Sequence, residues 1–285
     1  MASYWQQGLK AIKIIVNIPE MITKLIPHPC LNKTIDYYWI EKEKTNHVRI
    51  LPDGSTSILM NMGGPISIAN ENAEYLNLNN DLIVGAHKKY YTIHHNPETH
   101  LIGIKFKQGG LYHFYKHPVS LFSDRVANLS DVMKVEAEQL RIMLSKASEA
   151  DEIRIKLNQF FLKRVVTQSK CSDIVEFAVN NLRVNESTST VRKLCETSQI
   201  SNKHLISLFN QKVGLSPKII HRINKFIKVV DLLQVKKPKT WPEIAFECQY
   251  YDQAHLINEF KVFSGMSPKK YLENENANGL RISVF

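Results

Sequence analysis

The side chains best suited to chemistry in the N-terminal half of the chain are histidines. Eight of the eleven histidines lie in this half. A close group with Glu98 nearby is formed by His87, His94, His95 and His100. Two or three histidines and a carboxylate that converge can hold zinc or iron. Because strand neighbours point to opposite faces, His94 and His95 cannot share a site, but His94 and His100 could meet across the intervening turn. We expect ordinary surface or packed histidines and no metal, with a metal site as the alternative.

The sequence holds no recognised catalytic motif. It lacks G-x-S-x-G, a P-loop, H-E-x-x-H and the Rossmann glycine pattern. Asp53 lies in a turn sequence, where aspartate usually bonds to the backbone. The four cysteines, Cys30, Cys171, Cys195 and Cys248, form no CxxC pair, which is typical of free thiols in a reducing compartment. We therefore expect no catalytic residue, no cofactor and no enzymatic activity.

The net charge points to a polyanionic partner. The 285-residue chain has a formal charge of +10, which favours nucleic acid or an anionic membrane surface. The longest apolar stretch near the N-terminus, residues 11–18, is interrupted by Lys13 and Asn17 and is too short for a signal peptide or a membrane span. We expect a cytoplasmic protein with no membrane partner. The densest basic run, residues 198–239, has nine basic residues and one acidic residue, Asp231.

An internal repeat marks the C-terminal part of the chain. Residues 201–218 recur 51 positions later as residues 252–269, with eight identical residues in eighteen. Each copy begins with a residue whose side chain can accept hydrogen bonds from the free N–H groups of a first helical turn, Ser201 or Asp252. A repeat of this kind predicts two copies of one small helical unit.

The repeat predicts two helix-turn-helix units. In each copy a glycine, Gly214 or Gly265, stands where the helix has to end, and Ser-Pro begins the next helix. Short helices are predicted before the copies, over residues 190–197 and 242–248. Residues 217–234 have no internal glycine or proline and predict a connecting helix of about 27 Å. That length is of the order of the ~34 Å between successive major-groove faces of DNA.

The region from Asp173 to Glu273, roughly a third of the chain, resembles the DNA-binding domain of the AraC/XylS family of bacterial transcription regulators. The resemblance is strongest at Ile244-Ala245 and over residues 250–268, which read YYDQAHLINEFKVFSGMSP. It implies a sequence-specific regulator whose partner is double-stranded operator or promoter DNA.

Two features depart from the family pattern. The glycine usual in the turn before the second recognition helix is Gln249 here, and Gln199 is its counterpart in the first unit. A positive φ is uncommon for residues other than glycine, so these turns are expected to differ or to be strained. The arginine usual on the connecting helix is Lys225, which keeps the charge but loses the bidentate fork.

The resemblance identifies residues that face the bases. These are Lys203, Ile206 and Ser207 in the first recognition helix and Gln253, Ala254, His255 and Asn258 in the second. Glutamine and asparagine can bond adenine, lysine can reach guanine, and isoleucine or alanine can contact a thymine methyl. The expected phosphate contacts, which give affinity without sequence choice, are Asn202, Lys212, Lys218, Arg222, Lys225 and Lys261.

The N-terminal part reads as β-structure. Strand-like runs over residues 35–40, 47–51, 55–62, 90–94 and 100–106 are separated by turn sequences such as Pro52-Asp53-Gly54. The segments 49–54 and 101–110 resemble a cupin-like regulatory domain found in some members of the family, over roughly residues 28–130. Such a barrel or sandwich can hold a small ligand. Residues 130–167 are predicted to be helical from apolar positions three and four apart.

We predict an α+β protein with two domains. Residues 1–168 form a β-rich, cupin- or jelly-roll-like regulatory or dimerisation domain with flanking helices. Residues 169–285 form an all-α domain of two helix-turn-helix units joined by a long helix. A small-molecule effector, a homodimer and, for an activator, RNA polymerase are further partners. The alternatives are a cupin-like metal-binding enzyme or module with a DNA-binding tail, and a nucleoid-type protein that binds DNA without sequence choice.

Overall fold

The structure is a computed structural model that describes residues 22–42, 47–72, 75–164, 170–183, 191–234, 239–276 and 281–283. The apolar stretch of residues 11–18 and the predicted domain boundary after residue 168 lie outside these ranges, so the boundary stays a prediction. Within the described part of the chain, no helix is long and apolar enough to cross a membrane. The predicted fold class is confirmed: a β-rich N-terminal region is followed by helices.

Eleven strands of the described residues form two sheets. The six-stranded sheet has the order β1-β2-β9-β4-β7-β10, and the five-stranded sheet has the order β11-β3-β8-β5-β6. All pairings are antiparallel except that of β11 with β3. The strands are β1 Ile22–Leu25, β2 Ile35–Glu41, β3 His47–Ile50, β4 Ser57–Asn61, β5 Ile66–Ala69, β6 Tyr75–Leu78, β7 Leu82–Val84, β8 Tyr91–His94, β9 Leu101–Phe106, β10 Val126–Asn128 and β11 Arg281–Ser283.

Side chains of β2 alternate between two buried layers, as the twofold period of a strand requires. Tyr37 and Trp39 belong to the apolar cluster between the two sheets. Tyr38 and Ile40 belong to the cluster on the opposite face of the six-stranded sheet. Trp39 packs directly over Gly103, where an added Cβ would lie 1.9 Å from the indole ring. The protein's own side chains therefore fill the space between the sheets at this point.

Two helices, α1 (Leu129–Ser145) and α2 (Ala150–Leu162), cover the outer face of the six-stranded sheet. The buried residues of α1 recur three or four positions apart, which is the spacing of one helix face. They are Leu129, Met133, Ala137, Leu140 and Leu144. The helical region predicted over residues 130–167 is therefore confirmed within the described residues, but it consists of two helices separated at residues 146–149.

The remaining helices follow the sequence prediction closely. The short helix predicted over residues 190–197 is α4, and the connecting helix predicted over residues 217–234 is α6. The helices are α3 Lys170–Arg183, α4 Val191–Ser198, α5 Asn202–Lys212, α6 Pro217–Leu233, α7 Trp241–Glu247, α8 Gln253–Ser264 and α9 Pro268–Asn276.

A strand near the C-terminus joins the N-terminal sheet, which corrects the prediction that residues 169–285 are all-α. The backbone of β11 runs parallel to β3, with Arg281 opposite Val48 and Ser283 opposite Ile50. An uncovered edge strand leaves N–H and C=O groups unpaired, and a short extended segment can satisfy them. Residues 281–283 gave no local signal for this pairing, because the partner strand lies at the other end of the sequence.

A buried ion pair lies at the Pro52-Asp53-Gly54 turn. The Asp53 carboxylate accepts a hydrogen bond from Ser55 N at 2.9 Å, as a turn aspartate usually does. Its second oxygen lies 2.8 Å from Lys105 Nζ. Although burial acts to raise the pKa of Asp53, the Lys105 ammonium holds it below its usual value. Sequence analysis predicted only the hydrogen bond to the backbone, and the ion pair with Lys105 is an additional contact.

His87 is buried in the same region and packs edge-on against the Tyr91 ring, with centroids 4.6 Å apart. Burial lowers the pKa of His87 to about 4. The folded protein therefore holds this imidazole neutral at a pH where an exposed histidine is already charged.

The free energy of unfolding is expected to fall as the pH drops from about 6.5 to about 4, because the unfolded chain then binds a proton at His87 that the folded chain excludes. The full free energy of unfolding is present above about pH 6.5, the pKa of a histidine in the unfolded chain. Protonation of His87 in the unfolded chain lowers the free energy of unfolding by a total on the order of 3 kcal/mol. Urea unfolding across this range should show a smaller loss for His87→Gln than for the wild type. The exposed His117 provides the control, and His117→Gln should keep the wild-type slope. Equal slopes for His87→Gln and the wild type would contradict this assignment.

Candidate nucleic-acid interface

The two repeat copies fold as helix-turn-helix units, formed by α4 with α5 and by α7 with α8. Both predicted N-caps are confirmed. Ser201 Oγ accepts a hydrogen bond from His204 N at 3.1 Å, and Asp252 Oδ1 accepts one from His255 N at 2.7 Å. Each cap satisfies an N–H group that has no partner within its helix. The recognition helices α5 and α8 therefore begin at equivalent positions.

Each recognition helix buries one face and ends at a glycine, as the spacing predicted. Leu205 and Phe209 of α5 and their counterparts in α8 are fully buried. Gly214 and Gly265 have φ values of +92° and +74°, the left-handed conformation that favours glycine.

The opposite faces of α5 and α8 are open to solvent. All seven residues expected to face the bases lie there: Lys203, Ile206, Ser207, Gln253, Ala254, His255 and Asn258. Three of the expected phosphate contacts are also exposed: Asn202, Lys218 and Lys261. Except for Lys218, which lies in the first turn of α6, these side chains form an exposed and mostly polar surface on each recognition helix.

The structure corrects the placement of Lys212. This residue is only 4% exposed, and its ammonium lies 5.2 Å from the centroid of the Tyr112 ring. Tyr112 belongs to the short 3-10 helix Gly110–His113, against which the second half of α5 packs. The sequence pattern gave no indication of this contact, because it joins distant parts of the chain.

Arg222, a second expected phosphate contact, is engaged within the protein. Its Nε and Nη2 each donate to a carboxylate oxygen of Glu259 at 2.8 Å, which joins α6 to α8. The hydrogen bonds from Arg222 hold the pKa of Glu259 below its usual value. The residue equivalent to Glu259 in the first repeat copy is Leu208, which is buried. Sequence reasoning missed Glu259, and this difference between the copies was the available signal.

Lys225, a third expected phosphate contact, stabilises the turn of the second unit. Its ammonium donates to the carbonyl oxygen of Gln249 and lies 4.4 Å from the centroid of the Tyr250 ring. Lys228 Nζ donates to Glu247 O at 2.8 Å. Cations near the last carbonyls of a helix are favourable, so both lysines stabilise the C-terminal end of α7. Burial lowers the pKa of Lys225.

Both turns that depart from the family pattern have a glutamine with a positive φ. Gln199 has a φ of +53° and Gln249 has a φ of +57°. The chain therefore adopts the left-handed turn without the residue that adopts it most easily.

Two histidines of the predicted cluster, His94 and His95, contact different partners. His95 Nε2 lies 3.5 Å from Glu41 Oε2, with both side chains buried. His94 packs edge-on against His47, with ring centroids 4.4 Å apart. His94 and His95 thus point to opposite faces, as expected. Across the described ranges, no group of three or more His, Cys, Asp or Glu side chains is placed to hold a metal ion.

Comparison with known families gives one match in each part of the chain. Residues 23–128 match a domain of unknown function (DUF6597), and residues 194–274 match a family described as a helix-turn-helix domain. The C-terminal domain is a helix-turn-helix domain of the AraC type, and the chain is a DNA-binding transcription regulator. A search of curated protein sequences gives no match.

Solved structures resemble the chain weakly. ToxT from Vibrio cholerae O395 is 10% identical, with 83% of this chain and 97% of that chain covered and a TM-score of 0.46. ToxT from Vibrio cholerae strain SCE256 bound to an unsaturated fatty acid is 11% identical, with 90% and 97% covered and a TM-score of 0.45. The DNA-binding domain of AdpA in complex with a target DNA is 18% identical, with 38% and 95% covered and a TM-score of 0.32. With TM-scores below 0.5, these likenesses carry no functional argument.

Replacing Gln199 or Gln249 by glycine is expected to raise the free energy of unfolding by about 0.5–1 kcal/mol at each position. The left-handed conformation costs a non-glycine residue ~1–2 kcal/mol, and glycine gives back part of this through its greater freedom in the unfolded chain. Urea unfolding measures the difference. The matched control is Asn210→Gly inside α5, which should lower the free energy by about 0.3 kcal/mol, the difference in helix propensity between asparagine and glycine. A loss for Gln249→Gly as large as that control would show that the turn is not strained.

Proposed function

We propose that α5 and α8 enter successive major grooves on one face of a DNA site and read its sequence. The observation that supports this most strongly is the pair of capped recognition helices with their polar faces exposed, joined by one helix. The 17 residues of α6 span about 25 Å, of the order of one turn of DNA. The chain is thus a sequence-specific regulator rather than a nucleoid protein or an enzyme.

We assign the base contacts to exposed residues in the first two turns of each recognition helix. In α8, Gln253 and Asn258 can bond adenine edges, and Ala254 can contact a thymine methyl. In α5, Lys203 can reach guanine and Ile206 a thymine methyl. Ile206 is 38% exposed, so its side chain is accessible for such a contact.

We assign the phosphate contacts to the exposed candidates Asn202, Lys218 and Lys261, and exclude Lys212, Arg222 and Lys225. We add Tyr251, which is 92% exposed and whose hydroxyl can donate to a phosphate oxygen. These contacts give salt-dependent affinity without sequence choice.

The N-terminal domain is proposed to regulate DNA binding from the cytoplasm, through a small-molecule effector or a homodimer. The helices α1 and α2 offer a surface for a second copy. Val135 and Ile142 are exposed on α1, and Ile155 and Leu162 are exposed on α2. Within each pair the two residues are seven positions apart and share a helix face. RNA polymerase is the further partner if the protein activates transcription.

Selection of genomic fragments with the purified full chain at about 150 mM salt should enrich a preferred site that binds at least ~1,000-fold more tightly than unrelated DNA. Gln253→Ala combined with Asn258→Ala should weaken binding to that site by at least ~30-fold and leave unrelated DNA almost unaffected. The matched control, Lys218→Ala, should weaken binding to both DNAs by a similar factor. Equal affinity of the wild type for all fragments would contradict sequence-specific regulation.

A further inference from the structure

The N-terminal domain contacts the C-terminal end of the first recognition helix. Ser123 Oγ donates to the carbonyl oxygen of Gly214, just beyond α5, at 2.5 Å. Gln211 Nε2, in the last turn of α5, donates to the Tyr112 hydroxyl at 3.2 Å. The side chain of Val119 also lies against Gly214. The end of α5 is therefore fixed by polar and apolar contacts to two 3-10 helices of the β-rich domain, Gly110–His113 and Val119–Phe122, the second of which ends at Ser123.

The N-terminal domain also contacts the C-terminal end of the second recognition helix. Tyr90 N donates to Phe263 O at 3.1 Å, and Arg49 Nη1 donates to Ser264 O at 3.2 Å. The Arg49 guanidinium stacks 4.1 Å from the centroid of the Tyr90 ring. Gly265 lies so close to that ring that an added Cβ would stand 2.1 Å from it. The two bonded carbonyls belong to the last turn of α8, whose C=O groups have no partner within the helix.

A third contact holds the connecting helix between these two ends. Gln108 Nε2 donates to Asp53 O at 2.6 Å and to Asn224 Oδ1 of α6 at 3.1 Å. Gly54 lies against Ile220 of α6, where an added Cβ would be 2.7 Å from the isoleucine Cδ1. Apolar residues of the N-terminal domain, Leu51 and Ala86, belong to the buried cluster of the C-terminal domain.

These three contacts leave the DNA-reading surface free. They involve the last turns of α5 and α8 and the inner side of α6, whereas the residues proposed to face the bases lie earlier in each recognition helix and are exposed. The N-terminal domain thus holds both recognition helices without covering the surface that would meet DNA. We call the five N-terminal residues that make these polar contacts the brace: Arg49, Tyr90, Gln108, Tyr112 and Ser123.

We propose that the brace determines which separation of half-sites the protein accepts. One inserted base pair moves the second half-site by about 3.4 Å and rotates it by about 34°. A single connecting helix can bend and its end contacts can loosen. The brace connects the C-terminal ends of α5 and α8 through the N-terminal domain, and this second connection removes that freedom. This proposal rests on the proposed function, since it presupposes that both units bind one DNA site.

The experiment measures the affinity of the full chain for the selected site and for the same site with one or two base pairs inserted between its halves. The wild type should lose at least ~30-fold in affinity for two inserted base pairs, because one unit then loses its base contacts. The double variant Arg49→Ala, Ser123→Ala should lose less than ~5-fold for the same insertion while binding the original site within ~3-fold of the wild type.

Two controls separate positioning from a general loss of binding or folding. Lys261→Ala, at an exposed phosphate position, should weaken binding to every DNA and keep the wild-type insertion penalty. Circular dichroism and thermal unfolding report whether the double variant is folded. If it is not, Gln108→Ala, which removes only the central contact, takes its place and should also reduce the penalty.

The outcomes distinguish a failure of the brace proposal from a failure of the proposed function. An insertion penalty in the folded brace variant equal to that of the wild type overturns the role of the brace and leaves the proposed function intact. If the wild type binds the sites with inserted base pairs as tightly as the original site, the role of the brace is also overturned and the proposed function stays intact. Failure of the wild type to prefer any DNA appears in the selection step, before any insertion is tested, and overturns both.

Discussion

The buried face of α6 is the surface that both helix-turn-helix units need in order to fold. An isolated pair of short helices buries too little apolar surface to be stable. Both units therefore share one core along α6, whose buried residues are Pro217, Ile220, Ile223, Phe226, Val229 and Val230. The Phe226 ring lies 5.1 Å from the Phe260 ring of α8, and Leu205 and Phe209 of α5 belong to the same cluster. A shift of either unit would disturb the core of the other.

Polar contacts convert this shared core into a defined orientation. Apolar packing alone permits small shifts, whereas the bidentate pair of Arg222 and Glu259 restrains α8 at its contact with α6. The brace restrains the C-terminal ends of α5 and α8. Lys225 and Lys228 then attach the end of α7 to the same helix. Arg222, Lys225 and Lys228 thus position the second unit, a role that their charge alone would not indicate.

Local signals predicted most of the C-terminal domain. The N-caps Ser201 and Asp252, the terminal glycines and the Ser-Pro pairs act within a few residues, so the sequence placed the ends of α5 and α8 correctly. Non-local contacts could not be predicted in this way. Nothing near Lys212 indicates that Tyr112 will cover it, and nothing near residues 281–283 indicates pairing with β3. Helix periodicity was enough to predict that the residues expected to face the bases would be exposed. Three of the expected phosphate contacts, Lys212, Arg222 and Lys225, instead make tertiary contacts within the protein, which the local sequence could not predict.

The most direct test of a rigid pair of recognition helices is hydroxyl-radical footprinting of the full chain on its selected site. The account predicts two protected segments on one face of the DNA, with centres about 10 base pairs apart, both present at the same protein concentration. Gln253→Ala with Asn258→Ala should weaken both segments together, since neither unit moves independently. A single protected segment, or two segments that fill at different concentrations, would contradict the account.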